Sequence, residues 1–313
     1  MNIFILLQNY FRIQQTRIMT TRRKKKKYPL PVVLAALCLC AFSFYRNVCV
    51  SNQKDATSHT EQPTAKDDKP VRTDEQNKRK DNLLLPSYLT DRPEEIVYHD
   101  GFVLSYNCKH LVPNWVSWLL TAERTKGKEK RADNFHPDAS IKKGPVAEDS
   151  DYRKSGYDRG HMCPAADCKH TRTSQNECFL LSNICPQTHS LNAGDWKELE
   201  ELTRDWALRY DSIYVVCGPV IERDKTYQTI GENRITVPER FFKVLWRNES
   251  GKSAHAIGFV FDNAEQNKPL STYALTVDEV EKITGINFFS KFPKHIERSV
   301  EAMFDIKQWK GLK

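Results

Sequence analysis

No C-x-x-C pair occurs in the 313 residues, although the chain has nine cysteines. A zinc ribbon built on paired cysteine knuckles is thereby excluded. Internal repeats are missing too, and strands and helices interleave without regular βαβ units, which argues against a solenoid or a doubly wound fold. Acidic residues are absent from the first 50 positions, which hold nine basic ones. The rest of the chain lacks the basic excess that a formal charge of +8 suggests. Residues 51–82 carry seven charges of each sign, and residues 83–313 keep 32 basic against 33 acidic groups. The positive charge belongs to the leader, so net charge alone is no argument for nucleic-acid binding.

What is present is enough for a core: 39% hydrophobic residues, with 15 Phe, 12 Tyr and 6 Trp. Ahead of it, six consecutive cations, Arg22 to Lys27, precede an apolar stretch from Leu30 to Tyr45. That order reads as a secretory signal or a membrane anchor, with the cationic flank kept in the cytoplasm. Residues 51–82 are polar and nearly free of large apolar groups, so they cannot offset the entropy of ordering. The organisation expected is a basic leader with signal or anchor over 1–50, a disordered tether over 51–82 and a folded domain over 83–313. Six of the cysteines fall in that domain, Cys108, Cys163, Cys168, Cys178, Cys185 and Cys217. Six thiols permit fifteen pairings, so the redox state stays open.

Within the domain, apolar residues around Asp100-Gly101 suggest a hairpin over Val97 to Tyr106. Further strands are expected over Trp115 to Leu120, Ser212 to Val220, Arg240 to Trp246 and Ala254 to Phe261. Trp196, Leu199, Leu202 and Trp206 recur at helical period, with Asn192 as the expected N-cap. Thr276 with Glu279 forms a capping box that opens another helix. The fold class expected is α+β on a central antiparallel sheet with flanking helices.

Chemistry concentrates in Asp158-Arg159-Gly160-His161, Ser182-Asn183-Ile184-Cys185-Pro186-Gln187 and Leu191-Asn192 through Trp196 to Leu199-Glu200. His161 can take a proton near neutrality. Arg159, two residues away, shares a face with it on an extended strand. A base beside a guanidinium suits attack of water on a phosphodiester, where negative charge grows on phosphoryl oxygens. Asn192 and Glu200 lie two helical turns apart, too far for tight joint ligation but acceptable for an ion that keeps most of its waters, as Mg²⁺ does. Singly each residue has an ordinary role: a structural histidine, a helix cap, a solvated glutamate, an Asp158–Arg159 ion pair. The ordered combination is what argues for a site.

These three blocks resemble the DNA/RNA non-specific endonuclease family, the group of the Serratia nuclease and mitochondrial endonuclease G, from about residue 97 to 295 and most strongly over 153–200. The resemblance implies a ββα-metal (His-Me finger) arrangement and hydrolysis of DNA and RNA without regard to the sugar. It implies His161 as general base, Arg159 as transition-state stabiliser and Arg131 as the upstream second arginine. It implies Asn192 as ligand of one Mg²⁺ (Mn²⁺ being the alternative), Glu200 in the metal's surroundings and Asn183 as a supporting active-site residue. A nuclease fold kept only to bind nucleic acid or a partner is the competing expectation. DNA and RNA are the expected partners, with the membrane through the apolar leader and a homodimer admitted. The expected setting is the cell envelope, and the mitochondrial intermembrane space is the alternative. The basic loop Arg124 to Arg131 is a candidate for phosphate contacts. Cys163-x-x-x-x-Cys168 is left open as a disulfide loop, free thiols or a metal site.

Overall fold

The computed structural model describes residues 85–248 and 254–313, all within a compact unit spanning Asp74–Lys313. The cationic leader, its apolar run and the whole of the polar tether lie outside the described residues. Among those described, no helix is long and apolar enough to cross a membrane.

Seven strands form one antiparallel sheet. Its first half is the meander β1 (Glu95–Tyr98), β2 (Val103–Asn107) and β3 (Val112–Thr121). A two-stranded ladder, β4 (Asp158–His161) with β5 (Ile184–Gln187), stands apart from the sheet. The chain returns through β6 (Ser212–Pro219), which pairs with β3. A small ribbon, β7 (Thr229–Ile230) and β8 (Ile235–Thr236), precedes β9 (Arg240–Asn248), β10 (Ala254–Asp262) and β11 (Ala274–Leu275). The spatial order is β1-β2-β3-β6-β9-β10-β11.

Both faces of this sheet are buried, which is why its strands read as continuous apolar runs. Alternate side chains of a strand point to opposite faces. In β6, Ile213, Val215 and Cys217 enter one core and Tyr214 and Val216 the other. Among the described residues, six α-helices complete the domain: α1 (Asp149–Tyr152), α2 (Arg172–Glu177), α3 (His189–Ala193), α4 (Asp195–Tyr210), α5 (Val277–Thr284) and α6 (Lys294–Glu301). The first core receives Trp196, Leu199 and Trp206 of α4 together with Ile184 and Cys185 of β5. The second receives Val280 of α5 and Val300 of α6. The result is three layers, with the ladder and α4 on one side of the sheet and α5 and α6 on the other.

The expected hairpin, central strands and capping box are all present. Asn192 is a correction: it does not cap the long helix but sits inside the short α3, whose cap is Thr188 accepting from the Leu191 N–H. The break before α4 falls at Gly194, because a Cβ there would lie 2.3 Å from the Ser190 carbonyl oxygen. Only glycine tolerates that approach. The long helix therefore starts at Asp195, and Asn192 projects from a separate turn.

Candidate active site

The β4–β5 ladder sets Arg159 opposite Pro186 and His161 opposite Ile184. Arg159 and His161 do share a face, since both rest on Phe135, at 5.4 Å from its ring to the imidazole and 5.4 Å to the guanidinium. Phe179 packs edge-on against His161 at 4.9 Å, and the Arg131 guanidinium lies 4.9 Å over the same ring. Two aromatic rings thus hold one imidazole between two guanidiniums. Arg159 is steadied by Asp149, to which its Nε donates at 2.7 Å; the anticipated Asp158–Arg159 ion pair is replaced by this one. Arg131 pairs with Asp133 and is more than half exposed.

Burial first, and the neighbouring Arg131 second, hold the His161 imidazole down at about 4. The ring is therefore neutral at physiological pH, the form that can accept a proton. Nε2 of the imidazole is shielded from solvent and has no partner. The His161 carbonyl accepts from the Trp196 indole N–H at 3.3 Å, which ties α4 to the end of β4.

Asn183 is completely buried and fully used by the backbone. Its Oδ1 accepts from the Cys163 N–H at 2.9 Å, and its Nδ2 donates to the carbonyls of Cys163 at 2.9 Å and Cys178 at 2.8 Å. It shapes the turn after His161 and has no polar atom left for a substrate. Ser182 beside it donates to Asp138 at 2.6 Å, and Asp138 also holds His99 at 3.0 Å.

Asn192 Nδ2 donates to Asp158 Oδ2 at 2.9 Å, and His189 meets the same oxygen at 2.8 Å. With the nitrogen so engaged, the Asn192 amide oxygen is the atom left to ligate an ion. Nearby, the amide of Gln187 is buried with neither its oxygen nor its nitrogen hydrogen-bonded. The donors available here are oxygens, the set that suits a hard divalent ion and not a thiophilic one. The residues present therefore fit a magnesium-type site. Glu200 lies further along α4, one turn beyond Trp196. Burial raises its carboxyl to about 7, opposed chiefly by Lys243, whose Nζ stands 4.0 Å over the Trp196 ring. Trp196 thus packs between Lys243 and the end of β4 that carries His161.

One expectation changes and one open alternative closes. Arg124 is not available to phosphate, because its guanidinium donates to the carbonyls of Leu119, Gly101 and Asp167. Cys163 and Cys168 are free thiols, with sulfurs 3.4 Å apart. The structure also adds residues that lie outside the motifs: Phe135, Phe179, Asp149 and Lys243. Asp158, Gln187 and Trp196 were inside the motifs without an assigned task.

The sequence profile of the DNA/RNA non-specific endonuclease matches residues 80–295. The chain is 34% identical over 219 residues to the mitochondrial nuclease EXOG of Danio rerio, covering 66% of this chain and 64% of that one. It therefore spans a little under two thirds of that relative's length. Identity is 32% over 200 residues to the mitochondrial endonuclease G of Homo sapiens, covering 60% and 67%. Among solved structures, the complex of EndoG with EndoGI superposes with a TM-score of 0.60 at 31% identity, over 64% of this chain and 87% of that one. By profile, relatives and fold alike, the chain belongs to the DNA/RNA non-specific endonuclease family.

Proposed function

We propose that this protein is a divalent-metal-dependent endonuclease that hydrolyses phosphodiester bonds within DNA and RNA. The observation that carries the reading is the neutral imidazole of His161 set between the guanidiniums of Arg131 and Arg159 on the Phe135–Phe179 pair. His161 takes a proton from the attacking water, since its ring is the uncharged base in reach of the two cations. Arg159 and Arg131 bind the phosphoryl oxygens as their charge grows. Asn183 positions the strand end that carries the base, and its role is structural support. None of these groups addresses a 2′-hydroxyl, which agrees with both nucleic acids as substrates. Asn192 would hold the ion, Mg²⁺ foremost and Mn²⁺ as the alternative, with Glu200 contributing from behind. When bound, such an ion supplies Lewis-acid neutralisation of phosphate and leaving oxygen.

The domain organisation belongs to the same proposal: leader over 1–50, tether over 51–82, nuclease from residue 83. The names of the Danio rerio and Homo sapiens relatives support a mitochondrial setting over the cell envelope. Membrane contact through the apolar leader and a homodimer are further parts of the reading, checked by fractionation and by light scattering.

The deciding experiment incubates the purified chain with plasmid and with RNA, with Mg²⁺, with EDTA and as His161→Ala. Magnesium-dependent cutting of both substrates, lost in EDTA and in the variant, is expected. Intact substrates throughout, from protein shown to be folded, would overturn the proposal.

A further inference from the structure

Away from the active site, on the other side of the sheet, three carboxylates converge where α5 meets the end of α6. Asp278 and Glu281 are three residues apart on α5 and so project from one face. Glu301 is the last residue of α6. One oxygen of each lies within 4.8 Å of the other two. Oxygens this close can share one hard cation, and calcium, with bonds of ~2.4 Å and tolerance of irregular geometry, fits them with less adjustment than magnesium at ~2.1 Å.

A second observation singles this cluster out from an ordinary acidic surface. Glu301 is only 5% exposed, and its Oε1 is shut off from solvent with no hydrogen-bond partner. A buried carboxylate oxygen without a partner is costly. The cation beside it, Lys294, is engaged by Glu297 at 2.7 Å. Glu281 has one oxygen satisfied by the Phe288 N–H at 2.7 Å, which fixes its side chain and leaves the other oxygen for the cluster. Burial, with Glu281, Glu297 and Asp278 adding to it, raises the Glu301 carboxyl to about 8. A cation held by the three oxygens relieves both the missing partner and the repulsion.

We propose that Asp278, Glu281 and Glu301 form a structural binding site for a hard divalent cation of calcium size, which clamps α6 to α5. The site is separate from the catalytic one and needs no part of the nuclease reading. Its remaining ligands would be water, as calcium takes six to eight oxygens and accepts irregular geometry.

The test uses the full chain stripped with EDTA, followed by thermal unfolding with calcium chloride alone. Because the active site could also take the ion, Asn192→Ala serves as the background. Calcium a hundredfold above its Kd is expected to raise Tm by roughly 5 °C or more, in wild type and in Asn192→Ala alike. Glu301→Gln and Asp278→Asn should each remove that rise, and equilibrium dialysis should show one calcium fewer per chain. Glu301→Gln without calcium should melt no lower than stripped wild type, since it deletes a repelling charge. An equal calcium shift in Glu301→Gln and wild type would overturn the proposal. So would a wild type that ignores calcium while Glu301→Gln melts higher, because Glu301 would then simply carry a proton.

Discussion

At the scale of single residues, His161 and Asn183 sit in adjacent motifs and do opposite work. His161 keeps a ring nitrogen unspent, whereas Asn183 spends every polar atom on the backbone. Substitution should separate them. His161→Ala is expected to abolish cleavage while Tm moves little. Asn183→Ala leaves three buried backbone groups without partners and should lose about 3 kcal/mol or more of stability, seen as a lower urea midpoint. An Asn183→Ala protein that melted like wild type would show that the site tolerates its loss.

The depressed His161 titration makes a second, signed statement. The unfolded imidazole binds a proton near 6.5, while the folded one resists until about 4 because of burial and then Arg131. The folded state's advantage is therefore complete above pH 6.5 and is lost as pH falls through 4. Acid should cost wild type about 3 kcal/mol more over that interval than it costs His161→Gln. Parallel denaturant titrations at pH 7 and pH 4 measure the difference. Identical losses in the two proteins would mean that the ring is not shielded.

At the scale of elements, the ladder β4–β5 and the turn α3 form a finger whose geometry depends on Gly194. A methyl group there meets the Ser190 carbonyl at 2.3 Å, backbone that cannot swing aside. Gly194→Ala should shift α3 against α4 and carry Asn192 with it. The expected readout is a several-fold rise in the Mg²⁺ needed for half-maximal cutting, with the substrate KM nearly unchanged. An unaltered magnesium curve would show that α3 does not place the ligand. This break was not legible in the sequence, because Asn192 is a good cap by type and the obstacle is a tertiary distance. The strand of Arg159 and His161 was legible through its two-residue alternation, and α4 through its apolar spacing. Phe135 and Phe179 belong to no periodic pattern, so their part in holding the His161 imidazole appears only when loop and ladder meet. Arg124 shows the converse. It reads as one more cation in a basic loop, yet the fold consumes it internally.

At the scale of the molecule, charge is arranged locally and not globally. Residues 83–313 are close to neutral, so the proposed nucleic-acid substrate would be held by a few aimed cations and not by a field over the whole surface. Arg131 and Arg159 flank the His161 imidazole, and Lys126, Lys128 and Lys130 are exposed in the loop leading to it. Each phosphate neutralised contributes about −0.9 to the slope of log K against log salt on duplex DNA. Binding of catalytically silent His161→Ala to a duplex should therefore show a slope of roughly −2 to −5 between 50 and 200 mM salt, as estimated from those contacts. Adding Arg131→Ala should make it shallower by about 1. A slope much steeper than this would place further phosphates on a basic surface that the charge pattern does not reveal. A slope unchanged by Arg131→Ala would remove that arginine from the phosphate-binding set and leave Arg159 as the cation beside the base.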